Sequence, residues 1–316
     1  MLAIASLLDA EGLRKQAQIQ PQGFERRLAL DVTWPLVRVS RTLHLTTPRH
    51  ELQVAIGRQG EDAIDTQVHL SLPPPAAPLP PRKPQRKPQR PHGVTPPPKP
   101  VFTAAHPLRV WVAGDSLAQI PGEALERVGG AIDVVGVEAR LATGLARPDL
   151  YNWFSRIPQA VKQLRPRVVV FSFGADDAHG FMTGVPAGRT LGPLGSPSWD
   201  AEYLRRADGV TRELIAQGIY VVWLGLPIPD GPGFRKSFPI LNTVIGNVVR
   251  MHPRSAAYVD TWHLLDDAHG RYTAYLRVHG TLTMMRLPDG VHYTSAAGDL
   301  IVRQLLAQLR GIYLLR

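Results

Sequence analysis

The stretch RVVVFSFGADD (residues 167–177) decides the fold, because it joins a buried strand to a polar turn. Its first part is a continuous run of β-branched and aromatic residues, which is typical of a strand covered on both faces. Gly174 then permits a sharp turn, and the carboxylates of Asp176 and Asp177 follow it. The stretch predicts one strand of a parallel sheet, with polar residues at its carboxyl end, where such sheets place their sites.

Four more apolar runs predict the other strands of this sheet. They are LRVWVAG (108–114), AIDVVGVEA (131–139), YVVWLGLP (220–227) and AAYVDTW (256–262). Residues 117–128, 199–217 and 295–310 carry apolar positions at helical spacing between or after them. This alternation predicts an α/β fold, a flavodoxin-like three-layer sandwich around a parallel sheet of about five strands.

The composition agrees with a globular protein and excludes several other classes. Of the 316 residues, 44% are hydrophobic and 20% are charged, which excludes global disorder, collagen and coiled coil. No apolar run approaches the roughly 18 residues that span a bilayer, so a polytopic membrane protein is excluded. The chain has no cysteine, which excludes a disulfide framework, a Cys-ligated zinc site and a thiol nucleophile.

Residues 72–100 form a proline-rich basic segment that predicts a linker. They hold 13 of the 30 prolines, six basic residues and no acidic one, and without them the net charge falls from +10 to +4. Prolines favour extended polyproline II, in which this segment would reach up to roughly 90 Å. Its charge favours contact with a polyanion such as an anionic lipid or a cell-wall polymer. No aromatic residue lies among these charges, so no specific nucleic-acid partner is expected.

The linker divides the chain into an N-terminal helical segment (1–71) and an α/β domain (101–316). In the first part, residues 23–57 have helical apolar spacing, which Pro35 and Pro48 are expected to interrupt. The run MLAIASLL (1–8) is too short to span a membrane and lacks the basic start of a signal peptide. It is either the end of a membrane helix that begins before Met1 or the start of an ordinary helix.

Polar residues at two other places suggest chemistry. Ser116 follows the first strand directly before a helix pattern, where backbone N–H groups stabilise developing negative charge and suit a nucleophile. The alternative is that Asp115 or Ser116 only caps the helix. Near the C-terminus, Asp289 and His292 are three residues apart, so a helical turn would let the carboxylate hold the imidazole. The alternative there is an ordinary polar loop.

Taken together, these residues resemble the SGNH, or GDSL-type, hydrolases over residues 108–312. In the order of that family, the first block is VAGDSL (112–117), the second contains Gly144, the third is GADD (174–177) and the last is DGVH (289–292). The resemblance implies a nucleophilic Ser116, with His292 as its base and Asp289 orienting that base. It implies an oxyanion hole formed by Ser116, Gly144 and the side chain at position 176, with Asp115 and Asp177 as structural support. It implies no cofactor and no metal.

More narrowly, the chain resembles the extracytoplasmic branch called domain of unknown function 459. The resemblance is carried by TGLARPDLYNW, LPDGVHYTSAAGD and the order of helical segment, proline-rich linker and hydrolase domain. It implies a periplasmic or cell-envelope location, anchoring by a membrane helix upstream of Met1, and a serine esterase acting on O-acyl, in particular O-acetyl, esters of an envelope glycan.

Asp176 departs from the G-x-N-D block of that family, whose asparagine donates an N–H to the oxyanion. An ionised carboxylate only accepts hydrogen bonds and repels the oxyanion. One reading is that Asp176 is protonated and donates an O–H. The alternative is a weak or inactive domain that binds envelope glycan without turnover.

Four other polar or aromatic features carry weaker expectations. His179 is expected on the surface, with an Asp176 or Asp177 pairing as the alternative. Arg286 would approach an anionic substrate or pair with a carboxylate. The segment DTWHLLDDAHG (260–270) is expected to be a solvated turn, with a metal site as the alternative. Trp199 is expected in the core, with sugar stacking as the alternative.

Overall fold

The computed structural model describes residues 6–19, 24–45, 47, 51, 65–70, 98–186 and 188–316. Its first two helices, α1 (Ala10–Ile19) and α2 (Phe24–Thr42), pack against each other. Pro35 lies inside α2, so the interruption expected there is wrong. Contacts with α1 and with the residues just before it hold α2 on both sides of the proline. Arg14 donates to Leu30 O at 3.4 Å, and the Ser40 hydroxyl donates to Leu7 O at 2.6 Å.

A five-stranded parallel sheet forms the centre of the main domain, as the sequence predicted. Its strands, in spatial order, are β3 (Ile132–Ala139), β2 (Leu108–Gly114), β4 (Val168–Ser172), β5 (Tyr220–Leu224) and β6 (Ala256–Val259). Every residue of β4 is buried, so both faces of the sheet are covered. This order and layering confirm the flavodoxin-like sandwich of the SGNH hydrolases.

Helices flank the sheet and pack in pairs. They are α3 (Gln119–Glu126), α4 (Trp153–Leu164), α5 (Pro197–Ala216), α6 (Pro232–Met251), α7 (Thr261–Leu264) and α8 (Ser295–Ile312). The pairs are α3 with α8 and α5 with α6. The helical spacing predicted α3, α5 and α8. It did not identify α4 and α6, which contain Pro158 and Pro239.

The amino edge of the sheet carries the point where the linker joins the domain. A two-residue strand, β1 (Val101–Phe102), pairs in parallel with β9 (Leu314–Leu315), which directly follows α8. The Lys99 ammonium donates to Arg310 O at 2.8 Å. A hairpin, β7 (Tyr275–Val278) with β8 (Thr281–Met284), precedes the loop that carries Asp289.

Residues 65–70, which come just before the linker in the sequence, also lie against the main domain. The Asn152 amide, at the N-terminus of α4, donates to Gln67 O at 2.9 Å, and the Ser155 hydroxyl donates to Asp65 Oδ2 at 3.0 Å. Leu70 packs on Gly209 of α5, where an added Cβ would meet its methyl carbon. A part of the segment before the linker therefore belongs physically to the surface of the α/β domain.

Residues 1–5 and 71–97, and Pro48, lie outside the described residues. The apolar N-terminal run and most of the basic linker therefore stay predictions, as does contact with a polyanion. In the part of the chain that the structure describes, no helix is both long and apolar enough to cross a membrane.

Candidate active site

Ser116 begins a short 3-10 turn (Ser116–Ala118) at the carboxyl end of β2. The chain turns closely there, because a Cβ on Gly114 would collide with the carbonyl oxygen of Ser172. The capping role falls to Asp115, whose Oδ1 accepts the N–H of Leu117 at 3.0 Å. The Ser116 hydroxyl is therefore not used for capping.

The Ser116 hydroxyl instead meets His292, with 2.7 Å between Oγ and Nε2. The other ring nitrogen, Nδ1, lies 2.7 Å from Asp289 Oδ2. The loop takes the turn that the three-residue spacing requires, because Asp289 Oδ1 accepts the N–H groups of Val291 (2.8 Å) and His292 (2.9 Å). Both side chains of the pair are about half exposed, so the histidine faces the solvent-filled edge of the sheet.

The environment of Asp289 fixes the tautomer of His292. Partial burial by itself raises the pKa of Asp289, but hydrogen bonds from the backbone of His292 and Val291 and from the imidazole outweigh it, so the pKa is lowered. Asp289 is then a carboxylate and only accepts. We therefore assign the ring proton to Nδ1, which leaves the lone pair of Nε2 directed at the Ser116 hydroxyl.

Asp115 ties the first polar block to the third. Its buried Oδ2 accepts the N–H groups of Gly174 at 3.0 Å and Ala175 at 2.9 Å. Burial, and then the charge of Asp176, raise the pKa of Asp115 well above its usual range. This carboxyl group fixes the serine turn to the turn that follows β4.

Asp177 ties the third block to the second. Its carboxylate accepts the N–H groups of Leu145 at 3.1 Å and Ala146 at 2.7 Å, and the Tyr203 hydroxyl at 2.6 Å. Gly144 lies against this carboxylate so closely that a Cβ would collide with Oδ1. The backbone of the second block is thus held beside the third, where the sequence places an oxyanion hole.

The carboxyl group of Asp176 has one oxygen without a hydrogen-bond partner in the part of the chain that the structure describes. Among the described residues, its Oδ2 is buried and accepts no hydrogen bond. Burial and the neighbouring charge of Asp177 raise its pKa, against opposing effects of His179, the backbone of Ala142 and His292. A carboxyl group with a raised pKa and an unpaired oxygen is suited to carry a proton.

Arg206 is a buried cation in this region that the sequence did not reveal. Its guanidinium donates to Leu145 O (2.9 Å), Ala146 O (3.3 Å) and Thr183 O (2.7 Å), and it pairs with Glu202 at 2.9 Å. Arg206 therefore holds the carbonyls of the segment whose N–H groups Asp177 holds. Helical spacing four residues apart was the one available signal for the pair with Glu202.

The weaker expectations resolve differently from one another. His179 is exposed, and its ring contacts Phe234. Arg286 is fully buried, donates to Ile228 O at 2.6 Å and forms no ion pair with a carboxylate among the described residues. Trp199 is also fully buried, which excludes sugar stacking.

The acidic segment 260–270 begins with the short helix α7, where Thr261 is buried, and ends in a turn, so the expected solvated turn covers only its second half. Asp260 caps α7 and pairs with His263 at 2.6 Å. Asp267 pairs with Arg271. In the described part of the chain, no three histidine or carboxylate side chains come together in a way that could hold a metal.

These features define a class. A five-stranded parallel sheet carries a serine turn, a glycine turn, an acidic turn and an Asp–His loop at its carboxyl edge, and two buried aspartates join the first three. This is the architecture of an SGNH-type hydrolase. The chain belongs to the family described as protein of unknown function (DUF459), whose model matches residues 109–308.

Solved structures with a related fold are similar at low identity. A GDSL-like lipase from Bacteroides thetaiotaomicron is 14% identical, over 65% of this chain and 88% of that one, with a TM-score of 0.44. An acetyl xylan esterase from Geobacillus stearothermophilus is 14% identical, over 66% and 96%, with a TM-score of 0.45. A lipase/acylhydrolase from Enterococcus faecalis is 14% identical, over 66% and 98%, with a TM-score of 0.43. No curated protein sequence matches the chain. At these scores, the activities of the three enzymes say nothing about this chain.

Proposed function

We propose that the domain is a serine esterase that hydrolyses O-acyl esters, in particular O-acetyl esters, of a cell-envelope glycan. One observation carries the proposal: hydrogen bonds of 2.7 Å link Ser116 to His292 and His292 to Asp289. A serine hydroxyl is a weak nucleophile until a base takes its proton, and this arrangement supplies the base and its orienting carboxylate.

The mechanism follows from the atoms. Ser116 Oγ attacks the ester carbonyl while His292 Nε2 takes its proton. Asp289 stabilises the imidazolium that forms. The proton then passes to the leaving alcohol, and water activated by the same imidazole releases the acid from the acyl-enzyme.

The oxyanion takes hydrogen bonds from the N–H groups of Ser116 and Gly144 and from the protonated carboxyl of Asp176. Among the described residues, no acceptor occupies either N–H, and Asp115 and Asp177 hold both turns in place. Preorganised donors of this kind are commonly the largest single contribution to such a reaction.

The test is the replacement of Ser116 by alanine. We expect the hydrolysis of short acyl esters to fall to the background rate, because the nucleophile is gone. The backbone contacts of the turn do not involve the hydroxyl, so the fold should be kept. Release of acid is followed by titration, with Ser255→Ala, directly before β6 and away from the carboxyl edge of the sheet, as the matched control. Undiminished hydrolysis by Ser116→Ala would remove Ser116 from the mechanism.

A second candidate function is glycan binding without turnover, outside the cytoplasmic membrane. Asp176 favours it, because an ionised carboxylate at the oxyanion site would suppress catalysis. Glycan binding by a protein that hydrolyses no ester, even at mildly acidic pH, would favour this alternative.

A further inference from the structure

A cavity of about 620 Å³ opens between the segment that follows the third block and the first turns of α6. Four of its lining side chains are apolar: Phe181, Pro193, Leu194 and Ile240. A cavity of this size takes one or two sugar rings, whose C–H faces pack on apolar walls.

Both walls of the cavity begin at the candidate active site. On one side, His179 ends the 3-10 turn that starts directly after Asp176, and its ring contacts Phe234 of α6 with 5.9 Å between centroids. On the other side, the N–H of Asp230, two residues before α6, donates to Gly290 O at 3.1 Å, inside the loop that holds Asp289 and His292. The cavity therefore continues the edge where an ester would react.

The charge in the cavity is positive. Lys236 lines it, and none of its described lining residues is acidic. No ion pair to Lys236 occurs among the described residues, whereas the adjacent Arg235 pairs with Asp230 at 3.5 Å. A cation left without a carboxylate at the wall of a cavity is complementary to an anionic ligand.

We propose that this cavity is a subsite for the sugar part of the substrate, and that Lys236 selects a sugar bearing an anionic group, a carboxylate or a phosphate. The inference rests on the proposed esterase function and adds a specificity to it. The acyl group reacts at Ser116 while the charged sugar occupies the cavity.

The experiment compares two forms of one substrate. Acetylated oligogalacturonide carries a carboxylate on each sugar, and its methyl ester is the uncharged counterpart; released acetate is measured for both. We expect the wild type to prefer the charged form roughly fivefold in kcat/KM, the effect of one partly exposed charge pair. Added salt should reduce this preference, because it screens the pair.

Variants locate the effect. Lys236→Gln should abolish the preference and Lys236→Glu should reverse it, both through KM with kcat nearly unchanged. Lys162→Gln, an exposed lysine on α4, is the control and should behave as the wild type. An acetylated sugar phosphate in the same assay distinguishes a phosphate from a carboxylate.

Two results would overturn the proposal. One is equal hydrolysis of charged and uncharged forms by the wild type. The other is a preference that survives in Lys236→Gln while Ile240→Trp changes the preferred acyl chain length, which would make the cavity an acyl pocket. If the wild type hydrolyses neither form, its activity on the short acyl esters decides whether the esterase proposal fails, and calorimetry with unacetylated oligogalacturonide still tests the subsite. Equal affinity for the wild type and Lys236→Gln, or no binding, would then refute it.

Discussion

At the scale of single residues, Asp176 sets the character of the site. One of its carboxyl oxygens is buried and has no hydrogen-bond partner among the described residues, and burial and the charge of Asp177 raise its pKa. As a carboxylic acid it donates a hydrogen bond, whereas as a carboxylate it repels the oxyanion. In the proposed esterase, the proton on Asp176 therefore decides whether the oxyanion is stabilised.

This gives a prediction for pH dependence. Because the pKa of Asp176 is raised, its proton is retained above the usual range for aspartate and is lost as the pH rises through that pKa. Esterase activity should fall across this step. Asp176→Asn, which donates an N–H at every pH, should lack the step and be faster at alkaline pH by about 10²–10³. Hydrolysis of an acetyl ester reporter from about pH 4 to 9 measures both profiles.

Asp299→Asn is the control and should keep the wild-type profile. Asp299 is an exposed carboxylate of α8 that pairs with Arg127 at the C-terminal end of α3. A wild type that is silent throughout, with activity gained in Asp176→Asn, would favour the glycan-binding alternative. Identical profiles for the wild type and Asp176→Asn would show that the proton on Asp176 plays no part.

The sequence indicated these residues unevenly, for physical reasons. Ser116, Asp289 and His292 sit at strand ends or at a spacing that one turn can close, so local patterns bring them forward. The direction of the Asp176 carboxyl group and its missing partner depend on burial by distant segments. The sequence shows that an aspartate replaces the asparagine of the family at position 176, but only the structure shows the burial that raises its pKa.

At the scale of elements, α5 holds the second block in place. Arg206 on its buried face donates to three backbone carbonyls, of Leu145, Ala146 and Thr183, while Glu202 balances its charge. A planar fork of several N–H groups is suited to this task in a way that a lysine is not. The glycine turn therefore has its carbonyls fixed by a helix and its N–H groups by Asp177.

We expect Arg206→Met to lower the free energy of unfolding by about 3–5 kcal/mol, because it leaves Glu202 buried beside fewer partners and removes the donor from the carbonyls of Leu145 and Thr183. Arg206→Lys should lose less. Urea denaturation at neutral pH measures the change, and kcat of the folded protein should fall because the oxyanion turn loosens.

Arg212→Met on the same helix is the matched control. Its ion pair with Asp208 is longer, 3.9 Å, and partly exposed, so its loss should cost under about 1 kcal/mol. Equal losses for both variants would contradict a specific role for Arg206.

The elements that the sequence revealed are those with a clear repeating pattern. Continuous apolar runs predicted all five strands of the main sheet. Two of the unrecognised helices, α4 and α6, contain Pro158 and Pro239, which interrupt helical spacing but are tolerated within them. The hairpin formed by β7 and β8 is largely exposed, and its strands of four residues are too short for the alternation of Leu276 and Val278, which pack against the core, to stand out in the sequence.

At the scale of the whole molecule, residues 65–70 connect the N-terminal segment to the α/β domain. Val68 and Leu70 pack on the hydrophobic core, and Asn152 holds this segment by its carbonyls. These contacts involve residues about 85 to 140 positions away in the sequence, so no local sequence pattern could predict them.

We expect Leu70→Asp to release this segment, because it places a charge against α5, at a cost of about 1–2 kcal/mol. Since the chain has no cysteine, spin labels attach specifically at His69→Cys and Ala216→Cys, two exposed positions. The distribution of distances between the two labels should be narrow in the otherwise wild-type chain and broad with Leu70→Asp.

Leu282→Asp, at an exposed leucine of β8, tests whether any leucine-to-aspartate change has this effect; we expect the narrow distance to persist. A broad distribution in the otherwise wild-type chain would mean that residues 65–70 are not held on the domain in solution.

The position of these contacts bears on how far the α/β domain can lie from the N-terminal helices. The proline-rich linker leaves the domain surface after residue 70 and returns to the same domain at Lys99 and β1. Both of its ends are therefore fixed to one body, and its contour length adds nothing to the separation between α2 and the α/β domain. That separation depends on the residues between α2 and Asp65, so lengthening or shortening residues 71–97 should leave it unchanged.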